Sequence, residues 1–548
     1  MPLRSNISPR RPAANAAELR ARYLLLPLLA AMSVLTAGEA RGQSTDGAPG
    51  VPRIVVNILI DQLRSDYLEA FMPLYGEDGF KRLLREGRVY TQAEYPSAGV
   101  DVASAAATVA TGSAPASHGI TARRWIDRKT LRPVFCVDDG NYAGTGTSAD
   151  HSSPANLSVS TVGDELKMAS DGKALVYAIA PMREAAILTG GHAADAALWI
   201  DDQNGGWCSS SYYGKLPEWV DRYNSTGAMN SRLEGVTWIP SSAKVGAFSY
   251  FLRGVSKNPF EHKFKGMDRY TDFKTSALVN TEVGNAAVAC LQNTDLGIDW
   301  VTDQLAVTFY AGNYEHRPVG MAPTELQDTY VRLDKALAGL IDAVHRKVGL
   351  QNALFVLTST GYTDEDNYNL KEYRVPTGTF DMRRATALLN MYLVAVYGQG
   401  NFVEACYGRQ FYLNHSLIES KQLNLAEVMA RAQEFLLQLS GVKDVYTSTR
   451  LMLGAWTPGI SRIRAGYHPR CSGDLLVEVM PGWHYVNEDT RENFLVRDAY
   501  ISYPVIFFGH TTQSEKIETL VSVDRIAPTL SKAMRIRAPN ACGKAPLF

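Results

Sequence analysis

Cysteine is scarce in this chain, and it never occurs in a pattern typical of a metal or redox centre. Six of the 548 residues are cysteine, and no two of them form a Cys-x-x-Cys pair. A cysteine-based zinc or thiol redox centre is therefore not expected. An even count permits up to three disulfides in an oxidising compartment, but the wide spacing leaves their pairing open. The six residues are Cys136, Cys208, Cys290, Cys406, Cys471 and Cys542.

A concentrated basic region and a membrane-spanning run are also missing. The 55 basic residues are balanced by 56 acidic ones, and no cluster of them favours nucleic acid as a partner. The apolar run at 23–37 has about 15 residues, fewer than the roughly 20 that span a bilayer. There is no repeat or low-complexity tract. With 46% hydrophobic and 20% charged residues, the composition is that of an ordinary globular protein.

The N-terminus indicates export. Arginines precede the apolar run, and Ala40-Arg41-Gly42 forms a small-x-small cleavage site before Gln43. We predict a signal peptide at 1–42, a short linker at 43–52, and a periplasmic or secreted mature protein without a membrane span. No cysteine follows the cleavage site, so a lipid anchor is not indicated. Cleavage removes six arginines and two glutamates and leaves a net charge of −5.

Buried strands alternate with helices along the mature chain, which predicts a layered α/β fold with a mostly parallel sheet. Residues 54–60 are almost continuously apolar, as in a parallel strand buried on both faces. Asp61 follows at the carboxyl end, where open α/β sheets place their ligands. Further strands are predicted at 174–180, 197–200, 305–309, 354–358, 392–397 and 503–508. Helices are predicted at 65–86 (with a break near 73–79), 164–168, 326–348, 425–439 and 524–534.

We predict one domain over 53–540, with insertions at about 201–300 and 400–490 and a C-terminal tail at 541–548. Insertions of this kind usually lie over the ligand end of the sheet. The first region is rich in aromatic residues. They are expected to pack the insertion more often than to form a contact surface for a partner or a sugar. These residues are Trp199, Trp207, Tyr212, Tyr213, Trp219, Tyr223 and Trp238.

A small-residue helix is predicted at 102–110, after a Pro/Ser/Gly loop, and it ends at Thr111-Gly112-Ser113. The N-terminus of such a helix favours an anion or a nucleophile, because free N–H groups and the helix dipole stabilise negative charge there. A phosphoryl-transfer enzyme needs a Thr, Ser or Cys at this point. The chain has Val102.

Motifs along almost the whole mature chain resemble the alkaline phosphatase superfamily, most closely its secreted, phosphate-irrepressible bacterial branch. The resemblance implies a three-layer α/β/α fold with a mostly parallel central sheet and inserted subdomains. It also implies two zinc ions, held by six Asp and His side chains, that clamp a phosphoryl group. The matching stretches are Ile60-Asp61-Gln62-Leu63-Arg64, Gly79-Phe80-Lys81-Arg82-Leu83, Thr111-Gly112-Ser113 through His118-Gly119-Ile120, 191–199, 328–334, Ser472-Gly473-Asp474, Pro481-Gly482-Trp483 and 524–530.

Carried over position by position, the resemblance leaves one metal ligand of six. Asp61 is the first Asp ligand, and the nucleophile position is Val102. The other ligand positions, where the family has Asp or His, are Phe309, Asn313, Thr360, Gly361 and Asn493. The phosphate-contacting Asn, Lys and Arg positions are Arg123, Met182 and Glu184. A single carboxylate cannot hold a zinc pair, so we predict that no metal or other cofactor is bound; the alternative is zinc.

A displaced site is the alternative to a lost one. Small register shifts would have to bring in replacements from the nearby polar residues Asp101, Ser104, His316, Asp364, Glu365 and Asp366. His118 and His192 belong to the matching motifs and are predicted to be hydrogen-bonded supports, whereas His484 is predicted to be an exposed loop residue. Since a buried, unpaired carboxylate is costly, Asp61 is predicted to pair with Arg123 or Arg183.

Three functions follow from these residues. The first is a pseudoenzyme that binds a protein or glycan of the cell envelope, and it explains the loss of nucleophile, ligands and phosphate contacts together. The second is a metal-dependent phosphate or sulfate ester hydrolase with a displaced site. The third is a non-catalytic module that binds a ligand in the cleft where the family has its active site, such as an anion at the helix N-terminus beside Val102. Bound zinc would separate the second from the others.

Overall fold

The apolar run predicted as the first strand forms the centre of the main sheet. In a computed structural model of the protein, the strand Ile54–Asp61 is buried along its whole length between two parallel neighbours, Asp303–Tyr310 and Ala353–Ser359. The structure describes residues 50–146, 148–226, 233–247, 260–317, 322–363, 374, 376–454, 457–497 and 501–548. Residues Val51–Phe548 form one unit.

Strands of the described residues are numbered β1 to β24 in chain order. They are Ile54–Asp61, Arg88–Tyr90, Ala93–Glu94, Arg124–Asp127, Arg132–Phe135, Asp138–Thr145, His151–Ser152, Val176–Ala180, Ala196–Ile200, Trp207–Ser210, Thr237–Trp238, His262–Lys263, Asp303–Tyr310, Ala353–Ser359, Thr379–Asp381, Val403–Tyr407, Gln410–Leu413, Val442–Thr447, Leu475–Val479, His484–Asn487, Glu492–Leu495, Val505–Gly509, Glu515–Ile517 and Val521–Ser522.

The main sheet has parallel strands at its centre and antiparallel strands towards its edges. Its order is β23-β2-β22-β14-β1-β13-β8-β9-β10-β6-β7. The run from β14 to β9 is parallel throughout, whereas β22 and β10 pair antiparallel with their inner neighbours. This confirms the predicted α/β class, with a sheet that is mixed rather than parallel at the edges.

Helices of the described residues are numbered α1 to α16 in chain order. They are Ser65–Ala70, Phe80–Glu86, Val102–Thr111, Pro115–His118, Val162–Ala169, Arg183–Gly190, Glu218–Thr226, Arg269–Lys274, Leu278–Asn293, Pro323–Val348, Met382–Tyr397, His415–Ser420, Leu425–Leu436, Ser448–Leu453, Pro458–Ala465 and Ile526–Met534. Short 3-10 turns lie at Met72–Leu74, Ser211–Tyr213, Tyr314–His316, Leu350–Asn352 and Val523–Arg525.

One predicted strand is wrong. Residues 392–397 form the last turns of α11, in which Ala385, Leu389 and Leu393 are buried at four-residue spacing. The helical periodicity is visible only when the residues before position 392 are included. The apolar run 392–397 taken alone therefore resembled a strand. At the next predicted helix the N-cap is confirmed, because Asn424 Oδ1 accepts hydrogen bonds from the backbone N–H groups of Ala426 and Glu427.

Two large apolar clusters lie on opposite faces of the main sheet. Ile58 and the residues two apart from it on β1 pack into one cluster, and Val55 and Leu59 pack into the other. Helices cover both faces, which gives the three layers. A third, separate cluster lies within 380–496, around the four-stranded sheet β16-β17-β19-β18 and the helices α11 and α13. The tryptophans of the aromatic-rich region are buried, as expected of packing residues: Trp199, Trp207, Trp219 and Trp238.

All six cysteines are free thiols in the structure, so none of the permitted disulfides forms there. Among the helices that the structure describes, none combines the length and the apolarity needed to cross a bilayer.

Candidate functional site

Five of the six positions that the resemblance assigns to metal ligands lie where three neighbouring parallel strands end. Asp61 is the last residue of β1 and is in register with Tyr310, the last residue of β13. On the other side, Ile60 is in register with Ser359, which ends β14. Thr360 and Asn313 lie in the loops that follow these neighbours, at the carboxyl edge of the sheet where open α/β folds bind ligands.

Thr360 is hydrogen-bonded to Asp61. Its hydroxyl donates to Asp61 Oδ1 over 2.9 Å and accepts from the backbone N–H of Gln62 over 2.9 Å. Thr360 is fully buried, and Asp61 is only 8% exposed. The family resemblance assigns position 360 to a metal-binding carboxylate. This chain instead has the Thr360 hydroxyl there, and it donates a hydrogen bond to Asp61.

The next position, Gly361, has no room for a histidine. Its φ is +72°, a conformation that L side chains rarely adopt, and a Cβ placed there would lie 2.7 Å from the ring of Tyr95. The Tyr95 hydroxyl donates to the Ser359 carbonyl over 2.7 Å, which fixes the ring in place. Burial, and to a lesser degree the charge of Asp61, raises the pKa of Tyr95. The ring thus fills space beside Asp61.

The β13 side of the site is likewise occupied by packing residues. Phe309 is completely buried and belongs to the apolar cluster on one face of the sheet. The Asn313 side-chain amide donates to the carbonyl of Arg317 over 2.9 Å and so stabilises the turn that follows the strand. Neither residue presents a carboxylate or an imidazole.

Helix α3 begins at Val102, as predicted, and its N-terminus is closed by a capping box. Asp101 Oδ1 accepts from the Ser104 backbone N–H over 2.9 Å, while the Asp101 backbone N–H donates to Ser104 Oγ over 3.0 Å. Asp101 Oδ2 accepts from the Arg123 backbone N–H over 2.5 Å. Burial raises the pKa of Asp101, although these hydrogen bonds oppose it. Asp101 and Ser104 are thus used in capping.

Two of the positions that contact phosphate in the family form an internal ion pair. Arg123 Nε lies 3.1 Å from Oε1 of Glu184, whose side chain is only 1% exposed. Burial acts to lower the pKa of Arg123, but the Glu184 carboxylate outweighs it and raises that pKa. Met182, the third position, is the N-cap residue of α6.

Neither Arg123 nor Arg183, the two arginines named as partners of Asp61, pairs with it. Arg123 pairs with Glu184, and Arg183 lies 2.6 Å from Asp138. Asp61 instead accepts the hydrogen bond from Thr360. Closeness in sequence did not predict these partners. The sequence did contain a signal for the pair of Arg123 and Glu184, because a new positive charge and a new negative charge stand where the family has Asn and Arg.

Asn493 does not belong to the loops that follow the three central strands. It is an exposed residue of β21, in register with Val486 of β20 in a three-stranded sheet. His484, predicted in a loop, is exposed as expected but begins the strand β20.

The two motif histidines are structural supports, as predicted. His118 is fully buried, its Nδ1 accepts from the Ile120 backbone N–H, and its Nε2 lies 3.1 Å from Thr108 Oγ1. Burial lowers the pKa of His118 to about 3, so its ring is neutral. His192 Nδ1 lies 2.9 Å from Asp164 Oδ2, and its Nε2 lies 2.9 Å from the Leu157 carbonyl.

The structure describes only some of the residues that a displaced site would use. His316 is exposed, in the short turn after β13. Asp364, Glu365 and Asp366 lie outside the described residues. Within the ranges that the structure does describe, no group of three or more His, Cys, Asp or Glu side chains has metal-binding geometry. The described side chains at the six ligand positions do not match the donor set of a zinc pair.

The architecture and the loops at the carboxyl edge of the sheet define an alkaline-phosphatase-like protein. Residues 55–501 match the family model described as type I phosphodiesterase / nucleotide pyrophosphatase. The chain therefore belongs to this family, within the superfamily that also contains the alkaline phosphatases.

Similar proteins match over nearly the full chain. Alkaline phosphatase PafA of Elizabethkingia meningoseptica is 28% identical, with 93% of this chain and 96% of that protein covered. Alkaline phosphatase PhoV of Synechococcus elongatus is 29% identical, over 89% of this chain and 91% of PhoV. The crystal structure of wild-type PafA superposes with a TM-score of 0.79 at 26% identity, covering 91% of this chain and 99% of PafA.

Proposed function

We propose that this protein is an exported, alkaline-phosphatase-like protein without phosphatase chemistry, which binds a protein or glycan of the cell envelope. One observation carries the proposal. The nucleophile position and four of the five missing-ligand positions are not merely substituted but lie in the protein interior or in internal contacts, whereas Asn493 is exposed. Thr360 holds Asp61, Tyr95 fills the space beside Gly361, and Phe309 is part of the core.

Two-metal phosphoryl transfer needs donors that this arrangement does not supply. The metals must be held by several carboxylates and imidazoles, and a hydroxyl nucleophile must face them. Val102 offers no nucleophile, and Glu184 places a buried carboxylate where the family has a phosphate-binding arginine. The negative charge of Glu184 would oppose a phosphate group rather than stabilise it. Loss of chemistry accounts for all of these features at once.

The second candidate is a metal-dependent phosphate or sulfate ester hydrolase with a displaced zinc site. Its support is the match over nearly the whole chain to proteins named as alkaline phosphatases. His316 and the carboxylates Asp364 and Asp366 are the side chains this alternative requires.

Hydrolysis assays separate the two candidates. We expect no turnover of an aryl phosphate, a phosphodiester or an aryl sulfate by the mature chain with zinc supplied, whereas an active alkaline phosphatase assayed alongside turns over. Turnover that a chelator abolishes would favour the second candidate. The variants His316→Asn and Asp364→Asn would then lose that turnover if the displaced site were correct.

A further inference from the structure

Helix α11 is uncharged and largely apolar around its whole circumference, although only one side of it packs against the protein. No charged residue occurs between Arg384 and the end of the helix at Tyr397. The amide of Asn390 is already used, because its Oδ1 accepts from the backbone N–H groups of Phe402 and Val403. A surface helix normally has polar residues on its outer face, and a helix that is apolar all round is normally buried. The outer face of α11 therefore indicates a contact with another molecule.

The exposed side of α11 forms one continuous stripe, which we call the α11 stripe. Its members are all exposed and follow one another at intervals of three or four residues, so they share one face of the helix. They are Arg384, Ala387, Met391, Ala395 and Gly398. Met391, at the centre, is 68% exposed, and the half-buried Leu388 and Val394 lie three residues before and after it. Exposed apolar residues grouped in this way mark an interaction surface.

The α11 stripe has the same spacing in both directions from Met391. Ala387 and Ala395 are each four residues from it, and Arg384 and Gly398 are each seven residues from it. Two copies of α11 that pack antiparallel, with the symmetry axis at Met391, would place Ala387 of each copy opposite Ala395 of the other. A two-fold interface needs this self-complementarity, because the same surface serves both subunits. The small alanine side chains also allow the two helices to approach closely.

The ends of the α11 stripe are complementary in charge. Arg384 is exposed, and in the part of the chain that the structure describes no carboxylate lies within 4.0 Å of its guanidinium. The last carbonyl groups of the helix carry the negative end of its dipole. Lys421 Nζ donates to the carbonyl of Tyr397 over 3.4 Å. Among the described residues, none donates a hydrogen bond to the carbonyls of Ala395 and Val396. In the antiparallel arrangement, Arg384 of one copy faces these carbonyls of the other.

A second copy fits this surface better than a lipid bilayer. Helices that lie on membranes present Trp, Phe or Leu residues together with several cations. The α11 stripe instead has two alanines, one methionine and one arginine. We propose that the α11 stripe is the two-fold interface of a homodimer of this chain. About four turns of a single helix offer less than the roughly 800 Å² per partner of a stable interface, so the dimer is weak and forms at high concentration. This inference does not depend on the loss of phosphatase chemistry.

Sedimentation velocity of the mature chain, from low micromolar to millimolar concentration, tests the dimer. The sedimentation coefficient of the unmodified chain should rise with concentration from that of a monomer towards that of a dimer. Met391→Asp places two carboxylates at the symmetry axis and should weaken dimerisation about tenfold or more, since like charges in an interface are costly. Met168→Asp is the matched control, because Met168 is 67% exposed in α5. It should leave dimerisation within about twofold.

The charged end of the stripe is tested by a pair of arginine variants. Arg384→Gln should weaken dimerisation about threefold at low ionic strength, because it removes the cation that faces the helix end of the other copy. Arg383→Gln is the control, since Arg383 Nη1 lies 3.1 Å from Glu488 of its own chain. Melting curves would show that each variant is folded.

Cysteine cross-linking tests the arrangement of the two helices. Met391→Cys should form disulfide-linked dimers on mild oxidation, because the two thiols meet at the symmetry axis, whereas the unmodified chain and Met168→Cys should form few. Ala387→Cys should cross-link faster with Ala395→Cys than with itself. A chain that stays monomeric at every concentration, or a dimer that Met391→Asp leaves intact, would overturn the proposal. Binding of a monomer to phospholipid vesicles that Met391→Asp abolished would overturn the choice of a second copy.

Discussion

Arg123 and Glu184, at two positions that the resemblance assigns to phosphate contacts, form an ion pair inside the protein. The resemblance implies an asparagine and an arginine at these positions, and the chain has a cation and an anion instead. The two side chains pair at 3.1 Å, with the carboxylate buried. A buried charge is tolerated when it is paired, so either substitution alone would be costly and the two together are not.

A double-mutant cycle tests this pairing. We expect Arg123→Gln to lower the free energy of unfolding by about 1–3 kcal/mol, because the buried Glu184 carboxylate loses its nearer partner and keeps only Arg183, whose Nε lies 3.9 Å from Oε1. The additional change Glu184→Gln should recover most of that loss, since a neutral amide needs no cation. Denaturant titrations of the two single variants and the double variant measure the coupling. Additive losses would contradict the pairing.

His192 provides a pH-dependent contribution to stability. The hydrogen bond that His192 Nδ1 donates to the Asp164 carboxylate raises the pKa of His192 above its ordinary value of 6.5, with burial acting against it. Both ring nitrogens face oxygen acceptors, so the protonated ring satisfies both. Because the folded pKa is above the unfolded one, this stabilisation is fully present below about pH 6.5 and is lost as the pH rises through the folded pKa.

The measurement is the difference in unfolding free energy between the unmodified chain and His192→Asn, from about pH 5 to about pH 9. We expect the difference to be largest at the acidic end and to shrink above neutrality. His484→Asn, at an exposed strand position, is the control and should give a small, flat difference. A difference for His192→Asn that grew with pH would contradict the assignment.

At the scale of elements, the loop after β14 decides what the site can hold. Strand β14 places Thr360 and Gly361 beside Asp61, and the strand itself was predictable from its apolar run. The partners of these residues were not, because Tyr95 comes from a loop far away in sequence. The sequence pattern predicted that β14 ends here. It did not predict that the ring of Tyr95 fills the space beside Gly361.

Gly361→Ala tests whether the ring of Tyr95 fills that space. We expect it to cost more than Gly172→Ala, which also has a positive φ, of +79°, but nothing within 4 Å of an added Cβ. The control isolates the backbone cost, about 1–2 kcal/mol for a left-handed alanine. Thermal and denaturant unfolding of both variants give the comparison. Equal losses would mean that Tyr95 does not restrict the position.

At the scale of the whole molecule, the fold was predictable from sequence, whereas the assignment of the site residues stays a prediction. The alternation of buried strands with helices gave the layers, because β1 and its neighbours are apolar on both faces. The antiparallel edges and the separate core within 380–496 depend on pairings between distant segments, which local patterns do not encode. The resemblance assigns residues to the ligand positions, but the sequence did not predict the internal contacts that these residues make.

The most direct test of the proposed loss of phosphatase chemistry is the zinc content of the mature chain, purified without chelator and dialysed against zinc-containing buffer. We expect far less than one zinc per chain, because only Asp61 remains of the implied ligands. About two zinc per chain, as a two-metal site requires, would contradict it. The search for ligands would then move to His316, Asp364 and Asp366.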